Sequence, residues 1–311
     1  MKASLRLQDT ALRYFLEVAR HGSISEASVH LNVAPSAISR QINNLEDILG
    51  TTLFERRPRG MELSTAGEML AVYARKNALE SDRVVADIEA LAGLHKGRIK
   101  LACSEGFAMD FLPRIIANFR KEYSGIHFHI HVSTPGEVSE RVGHGDADIG
   151  ITLTIAPAKD IHVVYRQPSP IMLLVHPNHP LAQKKSITLS QLQPYPVALA
   201  EPNTTVRQVF DICCSNLNLL FDPVLESNNI AALNHFAQFE GAVHFGGEIS
   251  GRHQIANQNL VAIPIRDRGM NIRNIEVQTL SGRTLPAAVK VFLDFLVEKM
   301  KSEVDLKNTT P

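Results

Sequence analysis

Neither sign of charge dominates this chain: 32 Lys and Arg stand against 32 Asp and Glu. The composition fails the simple test of a strongly basic nucleic-acid binder, so any contact with a polyanion must come from where the charges sit. Long apolar runs are missing as well. No stretch of about 18 apolar residues occurs, and no apolar core of signal-peptide length follows a basic start, so the expectation is a cytoplasmic chain with no membrane partner. Cysteine is scarce. Cys103 and the adjacent Cys213 and Cys214 make neither a disulfide framework nor a metal-ligand spacing, and reduced, buried or half-buried thiols are expected. Catalytic motifs are absent too: there is no Gly-x-Ser-x-Gly elbow, no Gly-rich phosphate loop with a Lys-Ser or Lys-Thr end, and no His-Glu-x-x-His helix. Neither an enzyme nor a cofactor is expected. What is left is an ordinary globular composition, 44% apolar and 21% charged over 311 residues, with room for more than one domain.

Local signals are dense between residues 12 and 68. Leu12, Phe15, Leu16 and Ala19 recur at the spacing of one buried helical face. Gly22 is suited to end that helix in the left-handed conformation, and Ser23 followed by Glu26 predicts a capping box for the next. The second helix runs to about Leu31, and Asn32-Val33-Ala34 supplies a short turn. Pro35 stands at a first helical position, where the amide it lacks would have had no partner. Beyond it Ile38, Ile42 and Leu45 share an inner face, while Ser36, Ser39, Arg40 and Asn43 lie largely on others. Short hydroxyl side chains near a helix N-terminus permit close approach to a major groove, and Arg40 or Gln41 can reach base edges or phosphates. A solvated helix also carries Ser, Arg and Gln, and this face alone is ambiguous.

Leu49-Gly50 closes the third helix. Thr52 to Leu63 then reads as two short strands about a turn built from Pro58 and Gly60, with Arg56, Arg57 and Arg59 at its tip. Three guanidinium groups on one hairpin repel each other unless an anion lies against them, and phosphate or a narrow minor groove supplies it. The order of elements outlines a winged helix-turn-helix whose candidate DNA-binding residues are Pro35, Ser36, Ser39, Arg40, Gln41, Arg56, Arg57 and Arg59. Up to Thr65 the charges nearly balance, so non-specific affinity per subunit is modest and two subunits on two half-sites are expected.

Ala34-Pro35-Ser36-Ala37-Ile38-Ser39-Arg40-Gln41-Ile42, Leu45-Glu46, Leu49-Gly50, Leu53-Phe54-Glu55-Arg56 and Leu63-Ser64-Thr65-Ala66-Gly67 together resemble the DNA-binding domain of LysR-type transcriptional regulators. The resemblance implies a winged helix-turn-helix over residues 1–65 and a dimerising linker helix over 66–94. Over 95–311 it implies an effector-binding domain of two α/β subdomains shaped like periplasmic solute-binding proteins. It also implies double-stranded operator DNA, a small-molecule effector, a homodimer or homotetramer, and RNA polymerase as partners.

The rest of the chain suits that layout. Thr65-Ala66-Gly67-Glu68 offers a capping box, and Leu70, Ala74, Leu79 or Ala78, Val84 or Val85, Ile88 and Leu91 keep an apolar stripe along roughly seven helical turns. Such a stripe wants a partner helix, and its own copy is the simplest one. Gly93 to Gly97 reads as a hinge. Strands then begin near Arg98, Ile126, Asp148, Ile171, Val197 and Val224, alternating with helices from Phe111, Glu137, Thr205 and Ile230, and a helix from Leu285 closes the chain. That alternation predicts α/β structure with largely parallel sheets.

In such sheets ligands bind beyond the carboxyl ends of strands. The resemblance carries effector binding to Ser104, Thr134, Thr152, Asn203, Thr204 and Phe245, in loops whose hydroxyls and amides suit a small anionic, carboxylate-bearing metabolite and would suit a sugar or a phosphate almost as well. Ser and Thr at helix starts are also plain N-caps, so each hydroxyl has two readings. His127, His129 and His131 share one strand face, yet no Asp, Cys or further His at short spacing completes a metal site, and a solvated or interface face is expected. Asp146-Ala147-Asp148 lies where the family has a strand entry and is read as structural. The rival is a solute-binding or enzymatic α/β protein whose N-terminal helices only assemble it. That rival requires an export signal or catalytic residues, and it leaves Arg56, Arg57 and Arg59 unexplained.

Overall fold

The computed structural model describes residues 4–57, 60–91, 96–239, 242–247, 255, 257 and 259–308. It divides into two compact units, Met1–Gly93 with Arg283–Ala287, and Leu94–Gly282 with Ala288–Pro311. The hinge expected at Gly93 to Gly97 falls mostly outside the described residues.

In the first unit, α1 (Ser4–Leu7), α2 (Thr10–His21), α3 (Ile24–Leu31) and α4 (Pro35–Leu49) lead to a hairpin of β1 (Phe54–Arg57) and β2 (Gly60–Leu63), then to α5 (Thr65–Ala90). Each boundary has a local cause. The Asp9 carboxylate accepts from the amides of Ala11 and Leu12. Gly22 leaves α2 in the left-handed conformation, Ser23 Oγ accepts from Glu26 N, and Pro35 opens α4. The cap of α5 sits one residue earlier than the sequence suggests: Ser64 Oγ accepts from Gly67 N at 3.0 Å. Phe15, Val18, Ala27, Ile38, Ile42 and Leu53 are buried together with Ala71 and Ala74, so the start of the long helix belongs to this core. Gly67 is required there, because a Cβ would stand 2.0 Å from the Leu53 carbonyl oxygen. The hairpin is tied down by Met61 N donating to Gly22 O at 2.8 Å and Leu53 N donating to Glu46 Oε1 at 2.7 Å.

One expectation about α5 is corrected. Ala74 is buried in the unit's own core and Leu70 packs half-buried against it, so the expected stripe is turned largely inward at this end of the helix. The large apolar side chains left exposed on the helix are Met69, Val72, Tyr73 and Ile88, with Leu91 just beyond its end.

The second unit begins with β3 (Gly97–Cys103), α6 (Glu105–Ala108), α7 (Phe111–Phe119), β4 (Ile126–Val132), α8 (Pro135–Gly143), β5 (Ile149–Thr154) and β6 (Ile161–Pro168). The chain then crosses to β7 (Met172–Val175), β8 (Val197–Ala200), α9 (Thr205–Asn216), β9 (Leu225–Ser227), α10 (Ile230–Gln238), β10 (Val243–Gly246) and β11 (Val261–Pro264). It returns as β12 (Asn274–Leu280) and ends in α11 (Ala287–Asn308). Two five-stranded sheets result, ordered β4-β3-β5-β12-β6 and β11-β7-β10-β8-β9.

The sheets are mixed, not largely parallel. β3 pairs in parallel with β4 and β5, but β12 runs antiparallel to β5 and β6; likewise β8 is parallel to β9 and β10, while β7 is antiparallel to β10 and β11. The cause is the double crossing, which inserts a returning strand into the first sheet. β12 buries Glu276 and Gln278. Their polar ends are satisfied in a chain in which Ser139 Oγ donates to Gln278 Oε1, Gln278 Nε2 to Glu276 Oε2, and Arg166 Nε to Glu276 Oε1, each at 2.9 Å. Phe119, Phe128 and Phe292 stack edge to face beside this sheet. Among the described residues no helix is long and apolar enough to cross a membrane.

Candidate nucleic-acid interface and ligand seam

The outer face of α4 is built by its inner one. Ile38 and Ile42 are buried, which turns Pro35, Ser36, Arg40 and Asn43 outward and leaves Ser39 and Gln41 half-buried. Ser36, Arg40 and Asn43 follow each other at helical spacing and form one exposed polar stripe. Asn43 belongs to that stripe although the resemblance did not carry a role to it; its spacing from Ser36 and Arg40 was the available signal. Ser39 is less free, since its Oγ donates to Pro35 O at 3.2 Å.

On the hairpin, Arg57 is exposed and already has partners. Its Nη2 lies 2.6 Å from Glu55 Oε2 and its Nε 3.5 Å from Glu62 Oε2. The mutual repulsion expected of the three arginines is thus relieved at Arg57 from within the hairpin. The Arg56 side chain, Pro58 and Arg59 lie outside the described residues.

The two sheets of the second unit meet at a seam where Glu105, beyond β3, reaches the start of α10; Ser104 lies beside it, and the other sequence candidates lie at strand or helix ends of one sheet or the other. Ser104 follows β3 and Thr152 lies on the adjacent β5; both are buried, and their hydroxyl oxygens are 2.9 Å apart. Thr204 caps α9, its Oγ1 accepting from Arg207 N at 3.3 Å and donating to Glu201 O at 2.8 Å, beside an exposed Asn203. Thr134 opens α8 and donates its amide to Glu137 Oε2 at 3.0 Å, a bond that holds the Glu137 carboxyl below its usual range. Phe245 is placed differently from the others. Its strand is central and buried along its whole length, and the ring packs in the core against Phe210 at 4.6 Å. Any contact it offers a ligand is through its backbone.

Two charged residues at the seam were not singled out by the sequence. The Glu105 carboxylate reaches from the first sheet to the start of α10, accepting from Ile230 N at 2.9 Å and Ala231 N at 3.4 Å. It supplies the negative charge that a helix N-terminus favours. Its position two residues beyond the end of β3 was the only hint. Arg273, between β11 and β12, is buried to 1% exposure, and a lone arginine in a loop gives no sign of that.

The other candidates have plain placements. Asp148 Oδ2 accepts from Lys100 N at 2.8 Å, the bracing role expected of it. His127 and His129 are exposed on β4, the outer strand of its sheet. Among the described residues no group of three or more His, Cys, Asp and Glu is arranged to hold a metal. All three cysteines are free and buried, and burial pushes the thiols of Cys103 and Cys214 up to about 12, so both stay protonated.

Residues 10–68 match the family model described as the bacterial regulatory helix-turn-helix protein, lysR family, and residues 92–301 match that of the LysR substrate binding domain. A protein of Bacillus subtilis (strain 168) described as the uncharacterized HTH-type transcriptional regulator YwbI is 34% identical over 185 residues, which span 60% of this chain and 62% of that protein. A full-length OxyR variant from Pseudomonas aeruginosa shares the fold with a TM-score of 0.65, at 18% identity over 92% of this chain and 93% of that one. The effector binding domain of QuiR in complex with shikimate does so with a TM-score of 0.56, at 20% identity over 67% of this chain and 98% of that one.

Proposed function

The chain belongs to the LysR family of bacterial helix-turn-helix regulators, and on that premise we propose that it is a sequence-specific DNA-binding transcriptional regulator, switched by a small anionic metabolite. The observation that carries this proposal is the exposed stripe of Ser36, Arg40 and Asn43 on a helix anchored from behind by Ile38 and Ile42. In the major groove such a stripe offers short hydroxyls for close approach and one guanidinium for a base edge or phosphate. Pro35, Ser39 and Gln41 flank it, and Arg56, Arg57 and Arg59 contact the backbone or the minor groove beside it. Residues 1–65 serve as the DNA-binding domain, 66–94 as the linker and 95–311 as the effector domain. No catalytic step is required.

The subunits pair through α5. Met69, Val72, Tyr73, Ile88 and Leu91 leave an apolar surface that a second copy of the helix would cover, giving a homodimer and, through the effector domains, a homotetramer. The effector sits at the seam among Ser104, Thr134, Thr152, Asn203 and Thr204, with the backbone of Phe245 beside them. The shikimate in the QuiR effector domain is itself a hydroxylated carboxylate, and it supports a small anion here. A ligand that prefers one arrangement of the subdomains shifts operator binding only by its difference in affinity for the two arrangements. RNA polymerase is the expected reader of that shift, in the cytoplasm.

The test is footprinting of the full chain on the DNA upstream of its own and the neighbouring gene, with and without a panel of small carboxylates. Thr152→Val should keep the ligand-free footprint and lose the ligand-dependent change. A variant whose ligand-free DNA binding collapses while the ligand response persists would place Thr152 in a structural role and move the effector site elsewhere.

A further inference from the structure

Among side chains with less than 2% of their surface exposed, Arg273 is the largest in the described structure. It stands where the chain crosses between the sheets: Ser169 directly follows β6, Arg273 directly precedes β12, and Ser169 N donates to Arg273 O at 2.8 Å. Among the described residues its guanidinium makes no ion pair. Nε donates to Ser169 O at 3.1 Å and Nη2 to Ser169 Oγ at 3.5 Å, so its partners among the described residues are the neutral oxygens of one serine. Gly247, at the carboxyl end of β10, closes on the same group, since a Cβ there would lie 2.7 Å from Arg273 Nη2 and 3.5 Å from Ser169 Oγ. Burial lowers the guanidinium pKa to about 10, which still leaves it charged at neutral pH.

A buried cation with only neutral partners is strongly unfavourable, and a planar fork of N–H donors carries more hydrogen-bonding capacity than one serine uses. Both conditions are relieved when an oxyanion arrives from solvent. Of the helix N-termini that could draw an anion, that of α10 is already occupied by the Glu105 carboxylate. Arg273 is a buried positive charge held beside Ser169 and Gly247, which follow the carboxyl ends of β6 and β10, and ligands of α/β sheets bind at such ends.

We propose that Arg273 is the anion-binding residue of the seam, that Ser169 aims its guanidinium and Gly247 leaves room for it, and that the effector carries a carboxylate, sulfate or phosphate group. The proposal rests on the seam being the effector site and names the residue that would select the ligand's charge.

Isothermal titration calorimetry of the full chain with succinate, sulfate and inorganic phosphate as oxyanion probes, and glucose as a neutral control, tests it. Arg273→Gln should weaken binding of whichever oxyanion the unaltered chain takes by about 10- to 100-fold, and Arg273→Lys, which keeps the charge but loses the fork, by less. Gly247→Ala, which crowds Nη2 without removing the charge, should also weaken it, so the test survives if Arg273→Gln fails to fold. Oxyanion affinity unchanged in folded Arg273→Gln or Arg273→Lys but reduced by Thr152→Val would remove Arg273 and leave the seam as the effector site. Binding of glucose with no heat from any oxyanion overturns the proposal while the seam stands. No oxyanion or glucose binding to the unaltered chain counts against both.

Discussion

The outer face of α4 and the seam between the two sheets use the same residue types in opposite ways. On α4, Ser36, Arg40 and Asn43 stand exposed and their hydrogen-bonding groups are turned to solvent. At the seam the Ser104 hydroxyl is engaged with Thr152, that of Thr204 with Glu201 and Arg207, and the Glu105 carboxylate with the start of α10. The difference teaches how each region can bind. An exposed face of this kind is preformed for an outside polymer, and its affinity would follow from exposure and placement. At the seam these hydroxyls and the Glu105 carboxylate are paired within the chain, so a ligand displacing them would gain only the difference between the bonds made and lost. Arg273, by contrast, is engaged by Ser169 alone among the described residues. Ser39 and Arg57 stand between the two cases, each partly engaged within the chain.

The comparison is broken most forcibly inside the second unit. His244 lies opposite Leu174 and Ala198, residues whose clusters include Ala237 and Leu233 of α10, and burial pulls its imidazole down to about 4 from the ordinary 6.5. Between those values the unfolded chain binds a proton that the folded chain refuses, so stability falls as pH drops through this window. The loss should approach about 2 kcal/mol by about pH 5 and about 3 kcal/mol near pH 4, measured by urea unfolding. His244→Leu should flatten that slope; an unchanged slope would mean that other groups carry it. On α4, Arg40→Ala should leave stability unchanged and weaken operator binding by about 1 to 3 kcal/mol, with relaxed preference at one position. A binding titration in which affinity and preference both survive would remove Arg40 from the readout. The smallest effect is expected at Arg57, whose charge is already opposed by Glu55 and Glu62: Arg57→Ala should change DNA affinity by less than about 1 kcal/mol. A loss as large as that of Arg40→Ala would show that DNA displaces those carboxylates.

The first unit was legible because its boundaries are set locally. Gly22, Ser23, Pro35 and Gly50 each act on the residues beside them, and the helices end where those residues stand. The second unit was legible only in outline. β6 alternates half-buried and exposed positions and was passed over, while β12 was hidden by Glu276 and Gln278, polar residues that reach the core only because Ser139 and Arg166 meet them there. At the seam, sequence finds hydroxyls at strand ends but cannot tell a cap from a free group. Thr204 proves to be a cap, Ser104 bonds across to the neighbouring strand, and Phe245 turns into the core. Glu105 and Arg273 were missed because charge in a loop reads as surface, and only the meeting of the two sheets buries one and engages the other.

The most direct measurement is selection of bound sequences from a random double-stranded DNA pool by the full chain, at moderate salt where non-specific binding is weak. Enrichment of a two-half-site motif with one helical turn or a multiple of it between centres, lost at one symmetric position in Arg40→Ala, is the expected result. Recovery of no motif, or of the same motif with unchanged preference in Arg40→Ala, would contradict a regulator that reads its operator through α4.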